Sequence, residues 1–371
     1  ALDDGLCIDI IYLDLSKAFD SICIRKLLLK LESLGISGKL LKWLQGYLTR
    51  RTQTVKIGDD FSAESHVESG VPQGTKLGPL LFVLYMEDII PVVALSVLLR
   101  IYADDIKLLY VFPKSQIPIE LQTAVRDCAS WLADMNLSLQ PEKSQVFHLG
   151  HDNPCYQYTV SDKRIPPVEF VSDLGVLFDK QLKFSRNSAR LANKASSVAN
   201  MILRVFCSCN SKVLIRAFKT YVRPILEYAC EVSSPYLVRD IEMLERVQRN
   251  YTRRVASRIR LDYEDYEDRL RQLDLPPLGD RRDNACLTMY YKILNGLSHS
   301  CHDILPLDQN PRELRRRNNR NLVTENCRLE ARKQFFSCRY RTTWNALPEN
   351  VVNAPTLPCF KSRLCNLRSL Q

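Results

Sequence analysis

The stretch Tyr102-Ala103-Asp104-Asp105 decides the fold prediction, because it places two adjacent carboxylates between two apolar runs. Residues 97–101 precede the pair and residues 106–109 follow it, and each run has the length of a buried strand. The pattern therefore predicts a β-hairpin with the carboxylates at its turn. Two neighbouring buried acids repel each other unless a positive charge lies between them. A divalent cation is the usual partner at such a place, and it would need a further carboxylate.

A third carboxylate, Asp14, lies near the C-terminal end of another apolar run, residues 8–15. Asp14, Asp104 and Asp105 would then place three carboxylates on two strands. Oxygen ligands of this kind suit Mg²⁺, which proteins hold with one or two carboxylates plus substrate phosphates. Two such ions, ~3.5–4 Å apart, bind the attacking and leaving oxygens in phosphoryl transfer. We therefore predict these three aspartates as catalytic metal ligands for two Mg²⁺ ions, with Mn²⁺ as the alternative ion.

Three motifs, in this order, resemble those of reverse transcriptases. They are residues 12–20 (YLDLSKAFD), residues 69–82 (SGVPQGTKLGPLLF) and residues 102–105 (YADD). The Asp-Asp pair alone is weak evidence, whereas a long motif containing Pro-Gln-Gly between two carboxylate motifs is very specific. The chain looks most like LINE-type (non-LTR) retrotransposons of the jockey-like group, over most of its length. The resemblance implies an RNA-directed DNA polymerase, a nucleotidyltransferase that uses an RNA template, a DNA primer and deoxynucleoside triphosphates (dNTPs).

The resemblance also implies roles for single residues around the metals. Asp14 and Asp104 would carry both ions, with Asp105 in support. Phe19 would block a 2′-hydroxyl and so select deoxynucleotides, although an apolar Phe below a turn is also a common core residue. Lys143 would lie near the triphosphate and protonate the departing pyrophosphate, and a flexible surface lysine is the alternative.

The Pro-Gln-Gly loop is assigned a nucleotide-binding role by the same resemblance. Gln73 would sit against the incoming nucleotide and the template, and Gly74 would leave room for them. The glycines and prolines of residues 69–78 allow a close backbone approach near a helix N-terminus. From the residues alone, this loop cannot be told apart from an ordinary tight connection.

The predicted fold class is α+β, with a right-hand polymerase palm (an antiparallel sheet with helices) followed by a mainly α-helical thumb and C-terminal region. We place the palm with partial fingers in residues 1–180, the thumb in 181–260 and a basic C-terminal region in 261–371. Residues 170–176 resemble the hairpin that holds the primer 3′ end. Nucleic-acid-binding arginines are predicted on the polar side of a helix at 236–258: Arg246, Arg249, Arg253 and Arg254.

The net charge of +10 is unevenly distributed along the 371 residues. Residues 1–185 carry a net charge of −4, and residues 186–371 carry +14. An acidic half that binds metal, followed by a basic half, fits a protein that binds the phosphate backbone of a nucleic acid. The alternative is that many of these charges lie on solvated helix faces. A basic run at residues 315–320 could grip RNA, direct the chain to the nucleus, or be a plain exposed loop.

Other sequence features limit where the protein acts. The chain has 13 cysteines without a complete zinc pattern, which favours reduced intracellular thiols over structural zinc. No apolar run approaches the ~18–20 residues of a membrane span, so we expect no membrane partner. We expect the nucleus and the cytoplasm as locations, and the oligomeric state is left open. We also predict that Asp9 is a charge at the edge of a strand and that Asp20 caps a helix.

A rival hypothesis concerns activity. In the family that the chain resembles, a fingers segment with basic residues precedes the first aspartate strand, whereas here Asp14 follows within about thirteen residues of Ala1. We therefore also consider a truncated, catalytically weak remnant that binds nucleic acid. The third hypothesis is that the chain is a relative of group II intron maturases or telomerase. The C-terminal half resembles LINE elements instead, and so disfavours this hypothesis.

Overall fold

The computed structural model describes residues 1–207, 210–298, 304–308 and 320–368. Of the predicted basic run at 315–320, residues 315–319 lie outside them. The chain divides into two compact units, Ala1–Val171 and Ser172–Gln371, which are treated separately below. This division leaves the three-part assignment of palm, thumb and C-terminal region as a prediction.

The first unit mixes strands and helices. Its strands, in chain order, are β1 (Cys7–Leu13), β2 (Leu15–Ser16), β3 (Arg51–Gln53), β4 (Lys56–Ile57), β5 (Asp60–Phe61), β6 (Ser65–Val67), β7 (Leu98–Tyr102), β8 (Asp105–Phe112), β9 (Ser138–Leu139), β10 (Gln145–Leu149), β11 (Thr159–Val160) and β12 (Lys163–Arg164). Its α-helices are α1 (Ala18–Ser21), α2 (Ile24–Ser33), α3 (Gly38–Leu48), α4 (Leu77–Met86) and α5 (Ile119–Asp134). Short 3₁₀ helices cover Leu2–Asp4 and Glu87–Val92.

A four-stranded antiparallel sheet forms the centre of this unit, in the order β10-β1-β8-β7. Alternate residues of β1 are buried, because one face of the strand packs on the helices and successive side chains point to opposite faces. Phe112, Leu121, Val125, Phe82 and Tyr85 contribute to the apolar core, which joins this face to α4 and α5. The predicted antiparallel palm sheet with helices is confirmed.

Two predictions about this sheet were wrong. The run before the Asp-Asp pair was predicted to be buried, but β7 is an edge strand without a fully buried residue, because it pairs only with β8. Asp9 was predicted to be a charge at a strand edge. It lies instead in the middle of the central strand β1, with no exposed surface.

A hairpin of β13 (Phe170–Asp173) and β14 (Val176–Asp179) leads into a helical second unit. Its α-helices are α6 (Ser185–Val205), α7 (Ser211–Ala217), α8 (Arg223–Glu227), α9 (Cys230–Ser233), α10 (Val238–Ile259), α11 (Tyr266–Gln272), α12 (Leu278–Leu294), α13 (Glu330–Lys333), α14 (Phe336–Arg339), α15 (Arg341–Asn345), α16 (Glu349–Val352) and α17 (Leu357–Arg368). A π-helical segment, Phe218–Val222, joins α7 to α8. Pro224 lies in the first turn of α8, where its missing amide is tolerated.

Helices α6 and α10 lie side by side and run in the same direction. Ser185 contacts Asp240 near their N-termini, and Asn200 contacts Arg254 further along both helices. Their buried apolar stripes form one core with α7, α8 and α11, while α12 and the C-terminal helices enclose a separate core around Trp344 and Phe360. Within the described residues, no helix has the length and apolar character needed to cross a membrane.

Candidate active site

The hairpin between β7 and β8 presents the predicted carboxylates. Tyr102 pairs with Asp105, so Ala103 and Asp104 form a two-residue turn, and both aspartates are exposed. Ala103 has φ of 53°, in the left-handed region that non-glycine residues rarely adopt. Strain of this kind persists only where the surroundings impose it, and it clusters at functional sites. The predicted turn is confirmed, but the premise that the two acids are buried was wrong.

Asp14 reaches the same edge of the sheet because of the strand register. Leu13 is the last residue of β1 and pairs with Ile106, so Asp14 and Asp105 are the residues directly beyond this pair, at the same edge of the sheet. The sheet therefore brings together the three carboxylates that the sequence assigned to one site.

The loop after β9 holds the backbone of Asp14 from both sides. Asp14 lies where the chain leaves the main sheet, so its own ladder partners are lost. The amide of Gln140 donates to the carbonyl of Asp14 (2.9 Å), and the amide of Asp14 donates to Ser144 Oγ (3.3 Å). Ser144 has no exposed surface, and its hydroxyl donates to the carbonyl of Gln140 (2.9 Å). Ser144 thus fixes the position of Asp14.

The donor set fits a hard divalent cation. It consists of carboxylate oxygens on the exposed Asp104 and Asp105 and on the half-buried Asp14, which leaves room for water and phosphate ligands of the kind that Mg²⁺ keeps. The oxygens of Asp14, Asp104 and Asp105 do not all lie within 4.8 Å of one another. Among the described residues, the one group of three ligand-type side chains with such short separations is Glu325, Cys327 and Cys338.

That second group is built differently from the aspartate site. Both oxygens of Glu325 are engaged by arginines, with Arg341 Nη2 at 2.8 Å from Oε1 and Arg332 Nη2 at 2.5 Å from Oε2. Burial alone would raise the pKa of Glu325, but the two arginines outweigh it and hold the pKa below its ordinary value. The carboxylate therefore already has two cationic partners.

The Pro-Gln-Gly loop is anchored to the turn that follows Asp14. Gln73 is exposed, and its Nε2 donates to Asp20 Oδ1 at 2.7 Å. Ser69 Oγ donates to the carbonyl of Asp20 at 2.7 Å. At Gly70 a Cβ atom would lie 2.7 Å from the Cα of Asp20, so only glycine allows this approach. Gly74 has φ of 75° and open space around it.

Asp20 therefore has a different place from the predicted one. It lies inside α1 and accepts a hydrogen bond from the Gln73 side chain, whereas the residue before α2 is Cys23. The helix-cap prediction was wrong, because α1 is only one turn long and the Pro-Gln-Gly loop folds back onto it. The bond fixes the amide of Gln73, so that its Nε2 faces Asp20.

Phe19 and Lys143 flank this region in contrasting ways. The Phe19 ring stacks on Phe82 of α4, with centroids 4.6 Å apart, and it is half-buried. It thus packs against the core while keeping part of its surface open. Lys143 is exposed on the loop that holds Asp14, next to the buried Ser144. Their roles toward a nucleotide stay predictions.

The four predicted thumb arginines all lie on the exposed side of α10. Arg249 lies over the ring of Tyr266 (4.7 Å), and Arg254 Nη1 donates to Asn200 Oδ1 on α6 (2.5 Å). Arg246 and Arg253 have no side-chain partner within the described residues. Side-chain contacts therefore constrain Arg249 and Arg254, whereas within the described residues none constrains Arg246 or Arg253.

Sequence reasoning missed Ser144 and the partnership between Asp20 and Gln73. It also missed a buried network around Asp9, whose Oδ1 accepts from His148 Nδ1 (2.7 Å) and Asn153 Nδ2 (2.8 Å). The hydroxyl of Tyr158 donates to Asp9 Oδ2 at 2.6 Å. Burial and the Asp9 carboxylate raise the pKa of Tyr158, which keeps its hydroxyl a donor. No local pattern signals these contacts, because the partners are far apart in the chain.

Comparisons with known proteins agree with this geometry. Residues 5–185 match the family model described as reverse transcriptase (RNA-dependent DNA polymerase), and they contain the aspartates, the Pro-Gln-Gly loop and the hairpin of β13 and β14. Residues 5–185 are therefore a reverse transcriptase domain. The relatives among the non-LTR transposons agree with a LINE-type reverse transcriptase.

Two of these relatives come from fruit flies. The chain is 27% identical over 339 residues to a probable RNA-directed DNA polymerase from transposon X-element of Drosophila melanogaster, covering 85% of the chain and 35% of the relative. It is 27% identical over 235 residues to an RNA-directed DNA polymerase from mobile element jockey of Drosophila funebris, covering 60% of the chain and 25% of the relative. The chain thus spans about a third or less of these polymerases.

Two further matches carry less information. The chain is 33% identical over 129 residues to an uncharacterized protein of Caenorhabditis elegans, covering 35% of the chain and 65% of that protein. Among solved structures, telomerase from Candida albicans in complex with a fragment of telomeric RNA matches with a TM-score of 0.34 and 12% identity, over 80% of this chain and 48% of that one.

Proposed function

We propose that this chain catalyses RNA-directed DNA synthesis, by transfer of a nucleotide from a dNTP to the 3′-hydroxyl of a primer. The observation that carries the proposal is the meeting of Asp14 with Asp104 and Asp105 at one edge of the central sheet. Two Mg²⁺ ions, when bound, would lower the pKa of the attacking hydroxyl and stabilise the leaving pyrophosphate. Mn²⁺ is the alternative ion.

The aspartates would work as a rigidly held set of oxygen ligands. Asp14 and Asp104 would hold both ions, with Asp105 in support. The backbone of Asp14 is fixed by Gln140 and Ser144, and the turn that carries Asp104 is fixed by the pairing of its flanking strands. Positioning of this kind supplies most of the catalysis in phosphoryl transfer, because little covalent chemistry falls to the protein.

Nucleotide selection would involve three residues of the neighbouring turn and loop. Phe19 would exclude a 2′-hydroxyl, and its stacking on Phe82 would keep the ring from moving aside. Gln73 would lie against the nucleotide and its template base, and Gly74 would leave room for them. Lys143 is exposed on the loop that holds Asp14, from which it would give a proton to pyrophosphate.

The helical unit would bind the RNA–DNA duplex through its phosphates. Arg246, Arg249, Arg253 and Arg254 lie on one exposed side of α10, which is a suitable surface for a strand backbone. We assign 1–180 to the palm with partial fingers, 181–260 to the thumb and 261–371 to a basic C-terminal region. An RNA template and DNA target imply action inside the cell, in the cytoplasm and the nucleus.

Primer extension on an RNA template with Mg²⁺ and dNTPs tests the polymerase directly. Wild type should extend the primer, and Asp104→Ala should abolish extension. Asp59→Ala is the matched control, because Asp59 belongs to a second Asp-Asp pair on an exposed turn and should leave extension unchanged. Extension that survives in Asp104→Ala would contradict the proposal.

The same assay separates the rival function. Absence of extension in wild type, with duplex binding intact, would favour a catalytically weak remnant that binds nucleic acid. Duplex affinity should fall as salt rises, since each phosphate contact releases counterions. Arg246→Ala with Arg253→Ala should weaken binding and reduce this salt dependence. An affinity unchanged by either treatment would contradict the thumb assignment.

A further inference from the structure

Three ligand-type side chains of the second unit meet at helix α14. Glu325 and Cys327 lie in the segment that precedes α13, and Cys338 lies on α14. One carboxylate oxygen of Glu325 and the two Sγ atoms all lie within 4.8 Å of one another. Both cysteines are half-buried free thiols. Two thiols and a carboxylate are thus close enough to share one metal ion.

The separation of two of these groups matches a tetrahedral metal site. A zinc ion lies about 2.3 Å from a thiolate sulfur and about 2.0–2.2 Å from a carboxylate oxygen, so tetrahedral geometry places these two ligand atoms about 3.6 Å apart. Cys338 Sγ donates to Glu325 Oε2 at 3.6 Å. This hydrogen bond therefore holds the thiol and the carboxylate at the separation that a shared ion requires.

Two arginines orient the carboxylate of Glu325 without using all of its lone pairs. Arg341 Nη2 lies 2.8 Å from Oε1, and Arg332 Nη2 lies 2.5 Å from Oε2. An ionised carboxylate has about four lone-pair sites, so its oxygens can still bind an ion. Carboxylates that bind metals are commonly hydrogen-bonded by outer partners, which fix their orientation. The arginines therefore act as such partners for Glu325.

Arg341 also joins the two segments that carry the ligands, and its side chain is buried. Its Nη1 donates to the carbonyl of Val323 (2.6 Å), close before Glu325 in the chain. Its Nε donates to the carbonyl of Ser337, the residue before Cys338. One buried guanidinium thus contacts the backbone on both sides of the cluster, and the cluster is built into the fold.

Charge and ligand type both favour zinc at this cluster. Metal binding requires thiolates, and exchange of two thiol protons for one divalent ion leaves the net charge of the cluster unchanged. Binding therefore adds no net positive charge beside the two arginines. Thiolate ligands suit Zn²⁺, whereas Mg²⁺ prefers oxygen ligands. The cluster thus differs in chemistry from the three aspartates of the first unit.

We propose that Glu325, Cys327 and Cys338 bind one Zn²⁺ ion, which ties the segment before α13 to α14 and leaves its fourth position to water. No zinc motif in the sequence signals this site, because its ligands lack the paired cysteine spacing of such motifs. The ion stabilises the C-terminal part of the second unit. This role does not depend on the proposed polymerase function.

The first test uses Co²⁺ as the probe, because Co²⁺ can replace Zn²⁺ and its bonds to thiolates absorb in the near ultraviolet. The full chain should bind one Co²⁺ ion with this absorption. Cys327→Ser and Cys338→Ser should each raise the Kd at least about tenfold. Cys359→Ser is the matched control, because Cys359 is also a half-buried free thiol and lies outside the cluster. Absence of the absorption in wild type, or equal binding in all three variants, would overturn the proposal.

Two further variants test the carboxylate and the separation from the aspartate site. Glu325→Gln should raise the Kd for Co²⁺ at least about tenfold and keep the thiolate absorption at saturation. Asp104→Asn should change neither quantity. An unchanged Kd in Glu325→Gln, or loss of the thiolate absorption in Asp104→Asn, would overturn the three-ligand site.

Hydrogen exchange tests whether Zn²⁺ joins the two segments. At a free Zn²⁺ concentration of about ten times the wild-type Kd, peptides from residues 323–340 should exchange about tenfold more slowly in wild type, because the ion binds only the closed form. At the same concentration, exchange in Cys338→Ser should slow about twofold or less. Equal slowing in both proteins, or slowing in neither, would overturn the proposed role. Neither experiment needs polymerase activity, so failure of the polymerase proposal would leave both results interpretable.

Discussion

Removal of the Asp9 carboxylate should destabilise the central sheet of the first unit. Asp9→Ala would leave three donors, on His148, Asn153 and Tyr158, without their acceptor. Asp9 and His148 are both buried, so water cannot readily replace the lost bonds. The first unit therefore contains a polar network within its apolar core.

The expected magnitude follows from burial and from the number of bonds. A hydrogen bond to a charged group contributes about 1.5–3 kcal/mol, and the three bonds share one acceptor group, so their contributions do not simply add. Leaving a buried polar group without its hydrogen-bond partner costs about 1–3 kcal/mol. We therefore expect Asp9→Ala to lower the free energy of unfolding of this unit by ~3–5 kcal/mol, less than the full sum for three donors. Asp9→Asn keeps the shape and one acceptor oxygen, so its effect should be smaller.

Native-state hydrogen exchange is the appropriate assay, because a chain with two units has no single free energy of unfolding. Protection of the β1 and β10 amides should fall by at least about 10²-fold in Asp9→Ala. Asp59→Ala, on an exposed turn, should stay within about 0.5 kcal/mol of wild type. A fall of less than about tenfold, similar to that of the control, would refute the reasoning about the buried network.

Three further outcomes are expected. Ser144→Ala removes the acceptor for the Asp14 amide and should slow nucleotide addition about tenfold in primer extension, without changing duplex affinity. Asp20→Ala frees the Gln73 amide and should raise the KM for dNTP about tenfold in the same assay. Burial raises the pKa of Tyr85 to about 12. Its contribution to stability should be complete below pH ~10 and lost as pH rises toward ~12, so Tyr85→Phe should flatten that pH dependence in urea unfolding.

Each of these has a result that would contradict it. Unchanged extension by Ser144→Ala would show that Gln140 alone holds Asp14. An unchanged KM for dNTP in Asp20→Ala would separate Gln73 from nucleotide binding. If the urea midpoint of Tyr85→Phe falls between pH 10 and 12 as steeply as that of wild type, then other groups cause the loss of stability at alkaline pH.

The sequence predicted the parts of the fold that local patterns control. Apolar runs around Asp104 and Asp105 predicted the hairpin, and the helix predicted at 236–258 is α10, close to its observed bounds. In each case, consecutive residues specify which face or which run is buried.

The remaining features depend on contacts between distant residues. Asp9 alternates with apolar neighbours as an edge charge would, and only the positions of His148 and Tyr158 make it a buried acceptor. The exposure of β7 follows from its place at the edge of the sheet, which its own residues do not specify. Ser144 and Asp20 position other residues through single bonds, for which the sequence contains no pattern.

Metal binding is the most direct test of the central claim that Asp14 and Asp104 share one cation site. A Mn²⁺ titration followed by electron paramagnetic resonance measures this without any need for polymerase activity. Asp14→Asn and Asp104→Asn should each weaken Mn²⁺ binding at least tenfold, since even the loss of an outer partner costs about 10–100-fold. Asp59→Asn should bind as wild type does. Equal affinity in all four proteins would contradict the account.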